Sequence, residues 1–590
     1  MPRLLFAFVI VAFVALPSMA QPDPETVYRV SEVWIEYANR HDDAPDLAEL
    51  EAAAPTPEQP GFMSAREIAG MTTLIRDEMA ERFGLLGHFV TPDPGQIDPV
   101  TGEDLRPSGE DALVILIYVA TVGQTRTIGF GERLPVDDSR INHPLHDRVR
   151  RVIPLREGDL LRRTPLDLSI ARLNRTRGRS AEVAIAPTNE PGAVSLDYLI
   201  NESKPWTVFA QVANTGTRST DEIRWLFGAR HRQLTNADDV LSISYVTAEF
   251  DDANAVSASY RRPLDDLDTT RFTLSFAYNE YTASDVNLGL AAIEGDGLDF
   301  GAEFAREVFQ RGDAFVDVFG GVLYRDIRVT NLLTDVKGES QLLLARVGVR
   351  FDQTTTTTDT RAQASIEVNL PEIADTEEVD LDRLGREDAD ASFTVLRLDA
   401  SHGFFLEPLL APDGYAGLRG PEHQTLAHYV TLSVRTQWVP DARLVANEQV
   451  IAGGLFTVRG YEEAVASGDS AILASAEYRF GLSSALPASD RPGTLFGQPF
   501  RGRRQTPYGS ADWDLGLRAF VDYALVDNND VRSFEFDENL IGVGVGVDAR
   551  LYNNVTARLD YGIALTDAQS PTNPSDSGDT RLHFLVLVAY

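Results

Sequence analysis

The sequence predicts an all-β transmembrane barrel of about 16 antiparallel strands, preceded by two small α/β domains. Three observations predict it. The chain opens on a secretory signal, a two-residue apolar/polar alternation runs from Trp206 onward, and the sequence closes on a strand, RLHFLVLVAY, that ends in Tyr590.

The signal is read first. Arg3 supplies a positive start, Leu4 to Leu16 is apolar, and Ser18-Met19-Ala20 is a small-x-small cleavage site, so residues 1–20 are expected to be a signal peptide. That run is too short to cross a bilayer as a helix, and no other stretch approaches about 20 apolar residues. A membrane-spanning form of this chain must therefore use strands. There is no cysteine in 590 residues, which leaves core burial and strand closure to hold the fold. Lys and Arg number 53 against 89 Asp and Glu, and a net charge of -36 argues against nucleic acid, whose phosphates demand basic patches.

Residues 21–122 read as a first α/β domain. Tyr28 to Tyr37 is a candidate first strand. Ser64 and Glu67 form a capping box ahead of Ile68, Met71, Ile75 and Met79 on one helical face, with Gly84 as the stop. Leu86 to Val90 and Ala112 to Thr121 supply strands, with a Pro/Gly-rich loop, Thr91 to Gly109, between them. Residues 123–205 read as a second domain. Thr127 to Phe130 opens it, His146 to Ile153 is a helix, and Thr164 caps another with Pro165 at its first position. Ala181 to Ile185 and Val194 to Ile200 close it.

From 206 to 590 the period is two. Phe272, Leu274, Phe276 and Tyr278 alternate with Thr273, Ser275, Ala277 and Asn279, and Ile541, Val543, Val545 and Val547 alternate with Gly542, Gly544, Gly546 and Asp548. One face is apolar and the other carries charges of both signs over strands of about ten residues, which fits a lipid-facing band around a wet lumen better than a soluble sandwich.

GGLFTVRGYEEAVASGD, Gly453 to Asp469, is a glycine-rich loop before a strand at Ile472 to Phe480, with Val445 to Ile451 as the preceding strand end. In LGLRAFVDYAL, alternation turns Leu515, Leu517, Ala519, Val521 and Tyr523 to lipid and Arg518, Phe520 and Asp522 to the lumen. VRGY (Val458, Arg459, Gly460, Tyr461), followed by FVD from Phe520 to Asp522, resembles a signature of the BamA-related outer-membrane barrel superfamily. The resemblance implies that the loop folds into the lumen and that Arg459 at its tip pairs with Asp522 on the inner wall. Glu477, inward on the next strand, is a candidate support for the loop or a plain lumen-lining charge.

NTGTRSTDEIRW from Asn214, SASYRRPL ending at Leu264, and the segment around VRGY look like the two-partner secretion translocators within that superfamily (TpsB, the ShlB/FhaC/HecB type of hemolysin secretion/activation protein). EPGAVSLDYLI resembles the end of a second POTRA domain, so the resemblance implies two periplasmic POTRA domains and an outer-membrane barrel. It implies export of an unfolded hemolysin- or adhesin-like partner, captured by the POTRA domains, by a monomer surrounded by outer-membrane lipid. Two departures stand out. Gln21 to Thr26 is too short for the family's plug helix, and PDPGQIDPVTGEDLRPSGED replaces a short turn in the first domain.

The rival readings are a BamA-like assembly factor, a diffusion porin and an outer-membrane esterase. GDSA at Gly468 to Ala471 invites the last, yet no GxSxG elbow or histidine partner motif accompanies Ser470. The clusters at Asp265 to Asp268 and Asp527 to Asp530 lack calcium-loop spacing and read as solvated loops. No phosphate cradle appears. The expectation is therefore no catalytic residue, no metal and no cofactor.

Overall fold

A computed structural model describes residues 24–590 apart from 52–60, 136–137, 252, 286–290, 333, 413–425, 488, 490, 492, 496, 506–508, 533–534 and 571–573. The expected signal peptide, 1–20, lies outside the described residues. The chain divides into two compact units, one ending at Lys204 and one running from Pro205 to Tyr590.

The N-terminal unit holds two three-stranded sheets, each with one parallel and one antiparallel pairing. In the first, Ala112–Val119 lies between Glu32–Tyr37 (parallel) and His88–Pro92 (antiparallel). The helix Ala65–Glu81 covers it, and its capping box is formed as the spacing predicts. The Ser64 side chain accepts from the Glu67 backbone, the Glu67 carboxylate accepts from the Ser64 backbone, and Ile68, Met71, Ile75 and Met79 are buried. Losing the Ser64 hydroxyl should cost about 1 kcal/mol, and Ser64→Ala should lower the thermal midpoint of this unit without touching the barrel. The expected strand Tyr28 to Tyr37 is two strands, Val27–Arg29 and Glu32–Tyr37, because the chain breaks at Val30 and Ser31 to pair with two different partners.

In the second sheet, Ala193–Glu202 lies between Thr121–Gly131 (parallel) and Arg179–Pro187 (antiparallel). The helix expected to be capped by Thr164 starts at Arg163, with Arg162 at the cap and no side-chain cap bond. The Gly84 carbonyl instead accepts from the Arg163 N–H at 2.8 Å, so a backbone bond takes the place of the cap. The helix predicted over His146 to Ile153 is a short 3-10 turn, Pro144–His146, followed by Asp147–Val152.

Glu202 is buried at the end of this sheet. It meets Arg133 at 2.5 Å, Arg179 at 2.9 Å and His146 at 3.4 Å. Burial alone would raise its pKa, but the His146 hydrogen bond and the Arg179 and Arg133 charges win and hold it at about 2, against an ordinary value of 4.5. A depressed carboxylate stabilises the fold above its unfolded pKa. Its contribution, on the order of 3 kcal/mol at neutral pH, is lost as pH falls from the ordinary value towards the folded one. In the intact chain, the protection factors of amides in Ala193–Glu202, each rate taken relative to the unstructured peptide at the same pH, should fall over that window, and Glu202→Gln should remove the acid dependence along with part of the stability.

The second unit is a closed barrel of sixteen strands, numbered here from its own start: β1 Trp206–Ala213, β2 Arg224–Arg232, β3 Val240–Ala248, β4 Ala253–Pro263, β5 Thr270–Asp285, β6 Ala291–Arg311, β7 Ala314–Asn331, β8 Val336–Thr354, β9 Thr358–Asn369, β10 Thr394–Phe405, β11 His428–Trp438, β12 Ser470–Gly481, β13 Trp513–Asp527, β14 Glu538–Leu551, β15 Val555–Ala564 and β16 Thr580–Ala589. Every neighbour pairs antiparallel. β16 closes on β1 through Leu585↔Ala213 to Ala589↔Phe209. Tyr590 continues the seam with two backbone bonds to Val208, and its ring lies 5.4 Å from that of Trp206. Closure removes both sheet edges and pairs the strand backbone, which is what a strand crossing in lipid requires. No helix among the described residues is long and apolar enough to cross a membrane.

The faces sort as the alternation predicts. In β13, Leu517, Ala519 and Val521 are exposed outward while Arg518, Phe520 and Asp522 are buried inward. The expected strand end at Val445 to Ile451 is elsewhere: β11 stops at Trp438. Residues 439–469 form a long excursion whose own hairpin, Val450–Ala452 with Ala466–Gly468, lies inside the barrel. An apolar alternation fits that hairpin as well as a wall strand, because Ala452 and Ala466 bury against the inner wall at Leu473, Ala524, Val526 and Leu540.

Candidate functional site: a lumen loop fastened to the inner wall

The site is built from the inward faces of β12 to β16 and the loop tip. Arg459, 3 % exposed, sits at the tip. Its guanidinium grips Asp522 as a fork, Nε to Oδ2 at 2.7 Å and Nη2 to Oδ1 at 2.8 Å, and its own backbone N–H donates to the same carboxylate at 3.1 Å. Such a bidentate, charge-assisted pair fixes direction as well as distance. Ser475 on β12 donates a further hydrogen bond to Asp522 at 2.6 Å. The Phe520 ring lies flat beneath the guanidinium, its centroid 3.4 Å from the central carbon.

The remaining guanidinium nitrogen, Nη1, reaches Glu477 at 2.7 Å and Asp560 at 3.3 Å. Those two carboxylates are shared with Arg518, which pairs with Asp560 and lies 3.2 Å from Glu477, and with Arg558, 2.8 Å from Asp560. Arg518 also lies 3.3 Å from Asp548, which Arg479 holds at 2.8 Å, so each guanidinium of this buried network faces a carboxylate, the condition under which buried charge is tolerable.

Glycine makes the room. Gly542, Gly544 and Gly546 are successive inward positions of β14. A Cβ on Gly542 would strike the Arg459 carbonyl, one on Gly544 would come within 2.5 Å of the Phe520 ring, and one on Gly546 would strike the Asp560 carboxylate. Gly460 turns the tip at φ +105°, and its N–H donates to His583 Nε2 at 3.2 Å. Val458 is buried beside Gly542. Tyr461, fully buried, donates its hydroxyl to the Thr566 carbonyl at 2.7 Å and ties the far side of the tip to the β15 end.

A second polar cluster holds the root of the same loop. It lies at the rim opposite the one where β1 begins, since its loops each follow an odd number of antiparallel strands. Asp469, 0 % exposed, pairs with Arg386, and Glu535 bridges Arg386 at 2.9 Å and Arg443 at 2.7 Å. These four residues come from the loops after β9, β11 and β13. Beneath them the inward residues Ile327, Leu342 and Leu344 bury against Leu384, Phe393 and Leu444 of the loops. Sequence reasoning missed this cluster, along with Arg558, Asp560, Ser475 and His583, and it gave Arg518 only as a lumen-facing residue.

The residues of the rival readings have ordinary partners. Ser470 opens β12, and its Oγ accepts from the Val439 N–H at 2.9 Å. Asp265 closes its own turn by accepting from the Thr269 and Thr270 N–H groups at 3.0 and 2.7 Å. Among the described residues, no group of three His, Cys, Asp or Glu is poised to hold a metal.

No family model matches the chain. Among curated proteins, an outer membrane transporter, CdiB-2 of Burkholderia pseudomallei, is 29% identical over 75 residues, a match spanning only 13% of this chain and 13% of that protein. Among solved structures, CdiB from Escherichia coli superposes with a TM-score of 0.63 at 18% identity, covering 98% of this chain and 93% of that one. The chain shares the fold of CdiB. CdiB from Acinetobacter baumannii agrees, with a TM-score of 0.56 at 14% identity over 96% of this chain and 90% of that one. The superposed length takes in the barrel and the small α/β sheets that precede it in sequence.

Proposed function

We propose that the chain exports one unfolded partner protein, of hemolysin or adhesin type, from the periplasm through its lumen to the cell surface. The observation that carries this reading is the loop 439–469, which occupies the lumen of a closed barrel yet is fastened there by a polar, hydrogen-bonded cluster. Polar latches of this kind can be exchanged for water and remade, whereas an apolar core holds an obstruction permanently. In this reading Arg459 and Asp522 are the latch, Val458, Gly460 and Tyr461 seat it, and Phe520 and Glu477 support it from the wall. The domains 21–122 and 123–205 capture the partner in the periplasm by adding it as a strand to an open sheet edge, a mode read through backbone bonds and therefore tolerant of sequence. The chain works as a monomer, and no group on it is assigned a catalytic role.

One observation favours the assembly-factor reading. The β1–β16 seam pairs six residues, Val208 with Tyr590 included, where the adjoining β1–β2 ladder pairs eight, so it is the easier of the two to part. Deleting the gene separates the readings. Export predicts that one large surface or secreted protein disappears while other outer-membrane proteins stay at their normal levels. Broad loss of outer-membrane proteins would replace export with assembly.

A further inference from the structure

The hairpin inside the barrel has two faces. Ala452 and Ala466 pair with each other and turn to the wall, where both are buried. Ile451 and Ser467, the next pair, turn the other way, and Ile451 is 56% exposed. Beyond the hairpin, Gly453 and Gly454 fold the chain at φ +106° and +96° into a tight turn. The turn is held by the Gly454 N–H to the Val458 carbonyl at 3.0 Å, the Thr457 hydroxyl to the Gly453 carbonyl at 2.7 Å, and the Leu455 N–H to the Glu463 carboxylate at 2.7 Å. Leu455 and Val458 are buried at 3% and 0%, yet Phe456 between them is 64% exposed.

An aromatic ring held out from a rigid turn that has buried its other apolar side chains needs a partner to gain anything from its position. Its place limits what that partner is. Bilayer lipid lies outside the strand wall, and the ring stands on a loop that packs against the inside of that wall. What passes there with apolar side chains uncovered is an unfolded polypeptide. We propose that Ile451 and Phe456 form an apolar contact that the polypeptide in transit slides across, so that the loop both obstructs the lumen and touches the cargo. This rests on the export reading.

The absence of cysteine makes the test clean, because Ser467→Cys gives the purified full chain a single site for an environment-sensitive dye beside Ile451. The probes are two unstructured 20-residue peptides, one with Phe and Leu spaced among Gly, Ser and Thr, the other with those positions replaced by Ser. The apolar peptide is expected to bind roughly tenfold more tightly, the gain from covering one large apolar side chain. Phe456→Ser and Ile451→Ser should each shrink the difference, the double variant should erase it, and Phe456→Leu should retain it. Equal binding of the two peptides, binding of neither, or a preference that survives the double variant would overturn the contact. In cells, Phe456→Ser should slow export and Phe456→Leu should restore it, with barrel insertion unchanged. Loss of the peptide preference in a chain whose deletion still removes one secreted protein refutes only this contact. A deletion that removes no secreted protein refutes export itself.

Discussion

Arg459→Ala is expected to lower export of the partner by tenfold or more, ~10-fold being the least effect, while folded barrel persists in the membrane. In the wild type Arg459 pairs with Asp522, Glu477 and Asp560, and the variant leaves Asp522 with no guanidinium while Glu477 and Asp560 keep Arg518 and Arg558. Asp522 is 1% exposed and would lose its fork, its backbone bond would no longer be aligned by it, and the orphaned charge costs about 3–5 kcal/mol. That is enough to drive the loop off the wall in most molecules, since each 1.4 kcal/mol is about tenfold. Because the cost is an unpaired charge and not a cavity, Arg459→Ala combined with Asp522→Asn should be more stable to heat than Arg459→Ala alone. Arg459→Lys should sit between, keeping the charge but losing the fork and the stacking on Phe520. Export at the wild-type level in Arg459→Ala would remove the latch from the mechanism.

Gly542→Ala should displace the loop tip more completely than any change to Arg459. The added methyl meets the Arg459 carbonyl, a backbone atom with nowhere to yield, and the Val458 side chain at 3.1 Å. Arg459 should then become a trypsin site in a protein where it is otherwise buried. Gly320→Ala is the control, since the nearest atom to its new methyl is 3.7 Å away, an ordinary contact. Cleavage after Arg459 in the first variant and none in the second is the expected pattern. Protection in both would mean that the tip is held by something other than the glycine face of β14.

The barrel was legible because a pleated strand that meets lipid on one side and water on the other must alternate, and β13 and β14 do so residue by residue. The Asp522 position followed from the same parity. The glycine face of β14 was equally visible in GVGVGV, but its meaning was not, since three glycines in a strand say only that something comes close. Asp560 and Asp522 both point inward, and parity alone cannot choose which one meets a loop arriving from elsewhere. The Arg386–Asp469–Glu535–Arg443 cluster was illegible for a related reason. It joins three loops distant in sequence, none with a period, and each of its residues reads alone as a solvated charge. The misplaced strand at Val445 to Ile451 and the misplaced cap at Thr164 share one cause, a local pattern outvoted by a tertiary contact.

Export is tested most directly by reconstitution. The purified chain is placed in phospholipid vesicles, and the protein that disappears from the surface of the deletion strain is added outside in unfolded form, without nucleotide. Protease added afterwards should leave a protected fraction inside vesicles carrying the wild-type chain, and much less inside vesicles carrying Arg459→Ala. Complete digestion in both, at the level of empty vesicles, would contradict the account.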